Sequence, residues 1–338
     1  MKKIISLLLA LILIISIPVS VGAVSLSEGT TALTKQFKFG EGPKADGYSV
    51  DYRYYSPVKK GDSTKYPLVI WLHGNKNGTY DGKQVYDIVN WSSSDFQKRF
   101  SPAGGAFILT PRSREELELN WDAEEMLPAL TAAIDSFIEK NKPNIDLSRI
   151  YIGGFSMGGM MALKVLAENP EMYAAAFPYC PATYIFKSEA KKFKNVPVWI
   201  TASTKDPTVD FEYTQNTWNN IISTSKVKGD CRFSTMTNVC YPDGSAAASN
   251  HYTWFAVRYD MFTTKGKDYY NMSTVDGNGK KVTLTYPNGM ISWLTAQTSD
   301  YGAEDDSVSF FEQIRLFIQN TFSKFVSAIK NAVMNIVL

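Results

Sequence analysis

The chain has 338 residues, 35 Lys and Arg against 33 Asp and Glu for a formal net charge of +2, and 44% apolar residues. A near-neutral chain without a basic cluster argues against nucleic acid as a partner. Three cysteines are too few for a disulfide scaffold, and the length suits one large α/β domain once terminal segments are set aside.

Met1-Lys2-Lys3, an apolar run from Ile4 to Ile17 and small residues at Val21 and Ala23 make the pattern of a secretory signal peptide over 1–23. The run falls short of the ~20 residues a membrane span needs, so a secreted or cell-surface location is expected. The main domain is assigned to 24–297. After a polar start, Phe37 to Phe39 and Tyr48 to Tyr55 alternate polar with aromatic residues, as antiparallel edge strands do. Pro67 to Leu72 and Ala106 to Thr110 are continuous apolar runs, expected as buried strands, and Glu124 to Ile138 carries apolar residues at helical spacing.

Arg149 to Ile152 reads as a further buried strand that stops at glycine, and from Met157 the apolar period becomes helical. Between them lies Gly154-Phe155-Ser156-Met157-Gly158, the G-x-S-x-G pattern of a nucleophile elbow, where a tight turn holds the serine hydroxyl clear of the sheet. Gly153 and Gly159 add room on both sides.

Beyond it, Tyr173 to Cys180 and Val196 to Ser203 are expected as strands, separated by a Lys-rich helical piece around 188–193. Thr208 to Ile222 reads as a helix, and Arg232 to Val239 as a last strand. Strands alternating with helices imply a mostly parallel sheet covered on both faces, with ligands at the carboxyl ends of its strands. Residues 269–287, around Asp276-Gly277-Asn278-Gly279, read as an inserted hairpin, and Trp293-Leu294 as part of a closing helix. Residues 298–307 have the composition of a linker. Phe311, Ile314, Ile318, Phe322, Phe325, Ile329, Val333 and Ile336 form one apolar stripe, so 308–338 is expected as an amphipathic helix. Such a helix packs on its own domain, self-associates or lies on a membrane surface.

A serine hydroxyl needs a base, and the chain has two histidines. His251 alone follows Ser156, as the order nucleophile, acid, histidine requires. His73 opens a His-Gly-Asn turn after a buried strand and is expected to shape that loop. Asp206, just past a strand end, is the candidate acid, with a turn or cap role as the alternative and Asp210 in reserve. The oxyanion donors are expected to be the backbone amides of Met157 and Asn75, Gly74 being the other choice for the second. No metal or cofactor is required. Trp121 and Trp254 either line the cleft or belong to the core. Cys180 reads as a buried thiol, and spacing does not decide whether Cys231 and Cys240 are bridged.

The segments WLHGN at 71–75, DLSRIYIGGFSMGGMMA at 146–162, TKDPTV at 204–209 and HYTW at 251–254 resemble the secreted α/β-hydrolase esterases of the polyhydroxybutyrate-depolymerase and feruloyl-esterase group. They are also similar to predicted peptidases of the prolyl-oligopeptidase type. The resemblance covers about 35–297, apart from the hairpin and the C-terminal stripe, and implies an α/β-hydrolase fold with Ser156, Asp206 and His251 as a triad. The expected reaction is two-step acyl transfer from a small-molecule or polysaccharide-linked ester. A serine peptidase and a non-catalytic binding module on the same fold are the rivals, the latter disfavoured because nucleophile, acid and base all occur in order.

Overall fold

Every residue of Tyr66–Leu72 is buried, a pattern that belongs to a strand flanked on both edges and covered on both faces. In the computed structural model, which describes residues 26–75, 85–114, 120–241, 243–260, 272–284 and 289–303, this strand lies near the middle of a nine-stranded sheet. The segments expected as a signal peptide, 1–23, and as an amphipathic helix, 308–338, lie outside the described residues.

In chain order the elements are α1 (Leu26–Thr34), β1 (Lys38–Glu41), β2 (Asp51–Tyr55), β3 (Tyr66–Leu72), β4 (Phe107–Pro111), α2 (Met126–Asn141), β5 (Ile145–Phe155), α3 (Met157–Glu168), β6 (Ala175–Tyr179), β7 (Trp199–Ser203), α4 (Phe211–Thr224), β8 (Arg232–Met236), α5 (Trp254–Tyr259), β9 (Ser273–Asp276) and α6 (Met290–Thr295). The sheet order is β1-β2-β4-β3-β5-β6-β7-β8-β9. The block from β4 to β8 is parallel, and antiparallel strands close both edges.

Because side chains alternate across a strand, β3 feeds two separate cores. Leu68, Ile70 and Leu72 join Ile150 and Ile152 under α2, α3 and α4, where Leu130, Met161 and Trp218 pack. Val69 and Trp71 face the other way with Tyr151, against Trp91, Phe255 and Leu294. The helices thus cover both faces, as the alternation of elements implies.

Three features were not legible in the sequence. The polar segment after 24 contains a helix, α1; its Thr30 hydroxyl accepts from the buried Arg258 guanidinium at 2.5 Å, a tertiary anchor with no local signature. The hairpin around Asp276 is joined to the sheet. Its first arm is β9, in register with β8 from Arg232↔Asp276 to Thr235↔Ser273, so the strand at 232–236 is not the last. In the segment after 297 the Ser299 amide donates to the Ser148 carbonyl at 2.9 Å, which ties the start of the expected linker to the domain.

Behind the sheet, Asp87 is buried and accepts from Trp71 Nε1 at 3.2 Å, while its Oδ1 has no hydrogen-bond partner among the described residues. Burial pushes its carboxyl up to about 7, against the smaller opposing effects of the Trp71 hydrogen bond and the Arg258 charge. The folded state therefore holds this proton to higher pH than the unfolded chain. The resulting stabilisation is complete below the ordinary carboxylate value and is lost as pH rises through about 7. Asp87→Asn should leave stability little changed near pH 4 and gain on the wild type up to pH 8. At about 1.4 kcal/mol per pKa unit, the gain amounts to a few kcal/mol. Thermal melts of both proteins across that range measure it; a difference in Tm that stays flat with pH would mean that Asp87 is not held neutral by burial.

Candidate active site

β5 delivers the chain to a bend that only small residues tolerate. A Cβ at Gly154 would stand 2.4 Å from the Gly158 carbonyl oxygen, and one at Gly158 would stand 2.1 Å from the Leu72 oxygen and 2.3 Å from the His73 oxygen. Both distances are far inside van der Waals contact, so the two glycines are steric requirements of the elbow. Ser156 sits between them at φ 56, ψ −117, a backbone state that costs a non-glycine residue on the order of 1–3 kcal/mol. Its amide donates to the Tyr179 carbonyl at 2.9 Å, and its own carbonyl accepts from Met160 and Ala182 at 3.0 Å each. These bonds from β6 and α3 hold the strained turn in place.

His251 reaches the serine from a loop far along the chain. Its Nε2 is 3.0 Å from Ser156 Oγ. Its Nδ1 is 2.8 Å from Asp206 Oδ2 and 3.0 Å from Oδ1. The loop is fastened at two points: the Ser249 hydroxyl accepts from the His251 amide at 3.1 Å, and Asn250 Oδ1 accepts from the Val239 amide at 3.0 Å. The Phe155 ring packs on the imidazole with centroids 4.8 Å apart. Ser156 and His251 are both buried.

Asp206 contacts both a turn and the imidazole. Its Oδ1 accepts the Thr208 and Val209 amides at 2.8 and 3.0 Å, a turn that also aims the carboxylate at His251. Asp210, the reserve acid, caps α4 by accepting from Glu212 at 3.0 Å. His73 is committed to backbone: Nδ1 donates to the Gly74 carbonyl at 2.6 Å and Nε2 accepts the Ser113 amide at 3.1 Å. Both its nitrogens are thus occupied in shaping the turn before Asn75.

Met157 is the first residue of α3, where a helix leaves its amides without intrahelical acceptors. Asn75 is exposed in the turn beyond β3, and the Phe155 ring crowds the alternative, Gly74, to 2.5 Å from the position of a Cβ. Of the two readings of Trp121, its burial favours the core. It is wholly buried, and its Nε1 donates to the His73 carbonyl at 2.9 Å, so it braces the turn from inside. Trp254 is half-buried, three positions from His251, and packs on Phe255 with centroids 4.0 Å apart.

All three cysteines are free and buried. Cys231 precedes β8 and Cys240 lies beyond its other end. Five extended residues at about 3.3 Å each separate the ends of such a strand by roughly 13 Å, about twice the Cα spacing a disulfide accepts. Cys180 lies below the imidazole, 3.1 Å from the Thr253 hydroxyl and 3.7 Å from His251 Nδ1. Burial, and then the Asp206 charge, pushes its thiol well above the usual range, so it stands there as a neutral group. Sequence reading missed this contact and that of Asn120, discussed below. The one available signal for Asn120 was its place beside Trp121 in the loop that leaves the carboxyl end of a parallel strand.

A serine on a strand-to-helix elbow at the carboxyl edge of a mostly parallel, doubly covered sheet defines the α/β-hydrolase class. Within that class the chain belongs to the phospholipase/carboxylesterase family, whose model matches residues 55–242. It is 23% identical over 213 residues to the bifunctional acetylxylan esterase/xylanase of Neocallimastix patriciarum, covering 62% of this chain and 29% of that protein. It is 28% identical over 154 residues to a probable dipeptidyl-aminopeptidase B of Paracoccidioides brasiliensis, covering 43% and 16%. The chain therefore spans less than a third of either relative. Among solved structures it is similar to a thermostable esterase, with a TM-score of 0.58 and 23% identity over 79% of this chain and 64% of that one. At that identity the likeness speaks for the fold.

Proposed function

We propose that the protein is a serine hydrolase that cleaves carboxylic esters through an acyl-enzyme on Ser156. The observation that carries the reading is the continuous line of hydrogen-bond distances from Asp206 through His251 to Ser156, 2.8 and 3.0 Å long. His251 Nε2 takes the serine proton as Oγ attacks the ester carbonyl, and Asp206 holds Nδ1–H and stabilises the imidazolium that forms. The Met157 and Asn75 amides receive the developing oxyanion. The imidazolium then gives its proton to the departing alcohol. Water, deprotonated in turn by His251, releases the acyl group.

The substrate reading is an acyl group carried on plant polysaccharide, acetyl first, supported by the likeness to an acetylxylan esterase. It places the enzyme outside the cell after loss of residues 1–23, where such substrates are found. A peptidase is the second reading, favoured by the 28% identity to a dipeptidyl-aminopeptidase. A parallel assay on p-nitrophenyl acetate, acetylated xylan, methyl ferulate and dipeptidyl anilides separates them. The expected outcome is acetate release from the first two, with anilide cleavage slower by orders of magnitude. Rapid anilide cleavage with negligible ester turnover would replace the esterase reading with the peptidase one.

A further inference from the structure

The two amides assigned to the oxyanion sit on different parts of the chain. Met157 opens α3 and Asn75 lies in the turn after β3. A pair of donors stabilises developing charge only if both keep their positions while it forms. The loop that leaves β4 supplies three groups that grip the 73–75 turn. The Ser113 amide donates to His73 Nε2, Trp121 Nε1 donates to the His73 carbonyl, and Asn120 Nδ2 donates to Asn75 Oδ1 at 2.8 Å. Of the three, Asn120 also reaches across to α3, its Nδ2 lying 3.4 Å from Met157 Sδ.

The orientation of that carboxamide is settled by its other end. Asn120 Oδ1 accepts the Trp121 amide at 2.8 Å, a bond only the oxygen can accept, so the NH2 group must face Asn75 and Met157. Trp121 is wholly buried, which makes the anchor stiff. A thioether is a weak acceptor, so the contact with Met157 acts chiefly through packing, while the bond to Asn75 fixes direction.

We propose that Asn120 is a positioning residue for the oxyanion hole: its carboxamide ties the Asn75 turn to the start of α3 and keeps both backbone amides aimed at one point. The inference rests on the ester-hydrolase reading above. It differs from a general role in folding because the effect falls on the transition state and spares substrate binding.

The test measures kcat, KM and Tm on p-nitrophenyl acetate for Asn120→Ala, Asn120→Asp, Asn75→Ala and the Asn75→Ala/Asn120→Ala double variant. Complete removal of one oxyanion donor costs about 100- to 1,000-fold, so loosening one should lower kcat on the order of tenfold in Asn120→Ala, with KM within about twofold of wild type. Asn120→Asp should be slower still at pH 8, because a carboxylate cannot donate to Asn75 Oδ1. Its kcat relative to wild type should climb as pH falls and the new carboxyl regains a proton to donate. The double variant should be no slower than the slower single one, since both remove the same bond. An unchanged kcat in Asn120→Ala, a loss confined to KM or Tm, or losses that multiply in the double variant would each overturn the proposal while leaving the esterase reading intact. A wild-type enzyme that turns over no ester would overturn that reading and this inference with it.

Discussion

Ser156→Ala is expected to lower kcat for p-nitrophenyl acetate on the order of a millionfold, while the fold survives. The size follows from what is removed: the hydroxyl that becomes covalently attached to the acyl group has no neighbour able to replace it among the described residues. The thiol of Cys180 is buried, held neutral, and set on the Nδ1 side of His251 rather than beside Nε2. Alanine keeps the Cβ and inherits the same left-handed backbone at φ 56, so the strain of the turn is unchanged and Tm should shift by little. Initial rates together with labelling by a fluorophosphonate probe check this. Residual turnover above about one part in a thousand of wild type, or retained labelling, would place the nucleophile elsewhere.

Asp206→Asn should cost on the order of ten thousandfold in kcat, about a hundredfold less than loss of the nucleophile, although no atom that touches substrate changes. The Thr208 and Val209 amides at 2.8 and 3.0 Å require an acceptor at Oδ1. An asparagine must therefore present its carbonyl oxygen to them and its NH2 to His251 Nδ1. That NH2 needs an acceptor, so Nδ1 loses its proton and Nε2 gains one. In that tautomer Nε2 donates to Ser156 Oγ and cannot take the serine proton. Because the turn at 206–209 keeps both of its hydrogen bonds, Tm should stay close to wild type. A loss of activity that tracked a loss of Tm would assign Asp206 to the turn alone.

Much of the site was legible in sequence because its constraints are local. The G-x-S-x-G pattern marks a bend where Cβ atoms at 154 and 158 would meet backbone at 2.4 and 2.1 Å, and a restriction that severe leaves its trace in adjacent residues. The buried strands were legible for a similar reason, since covering a strand on both faces demands an unbroken apolar run such as Tyr66–Leu72. Where both constraints relax, the sequence left the outcome open. α1 has no apolar run and is anchored from residue 258. β9 is short and half-polar, and joins the sheet only because the edge of β8 is open to it. Trp121 follows the end of a strand as a cleft residue would, and nothing beside it in sequence tells that its indole N–H is spent on the His73 carbonyl.

The amino-acid sequence by itself determined the order of elements, the strained serine, and the short list of acids and bases able to serve it, because periodicity, glycine placement and the scarcity of histidine are properties of neighbours and counts. Only the tertiary structure decided which groups meet. It set His251 against Ser156 across 95 positions, gave Asp206 both a turn and an imidazole to hold, and turned Asn120 toward the side chains of the two residues whose amides are proposed to receive the oxyanion. Hydrogen bonds reach about 3 Å and are directional, so residues far apart in the chain can form them only where the packing of the sheet and its loops has already brought the partners together.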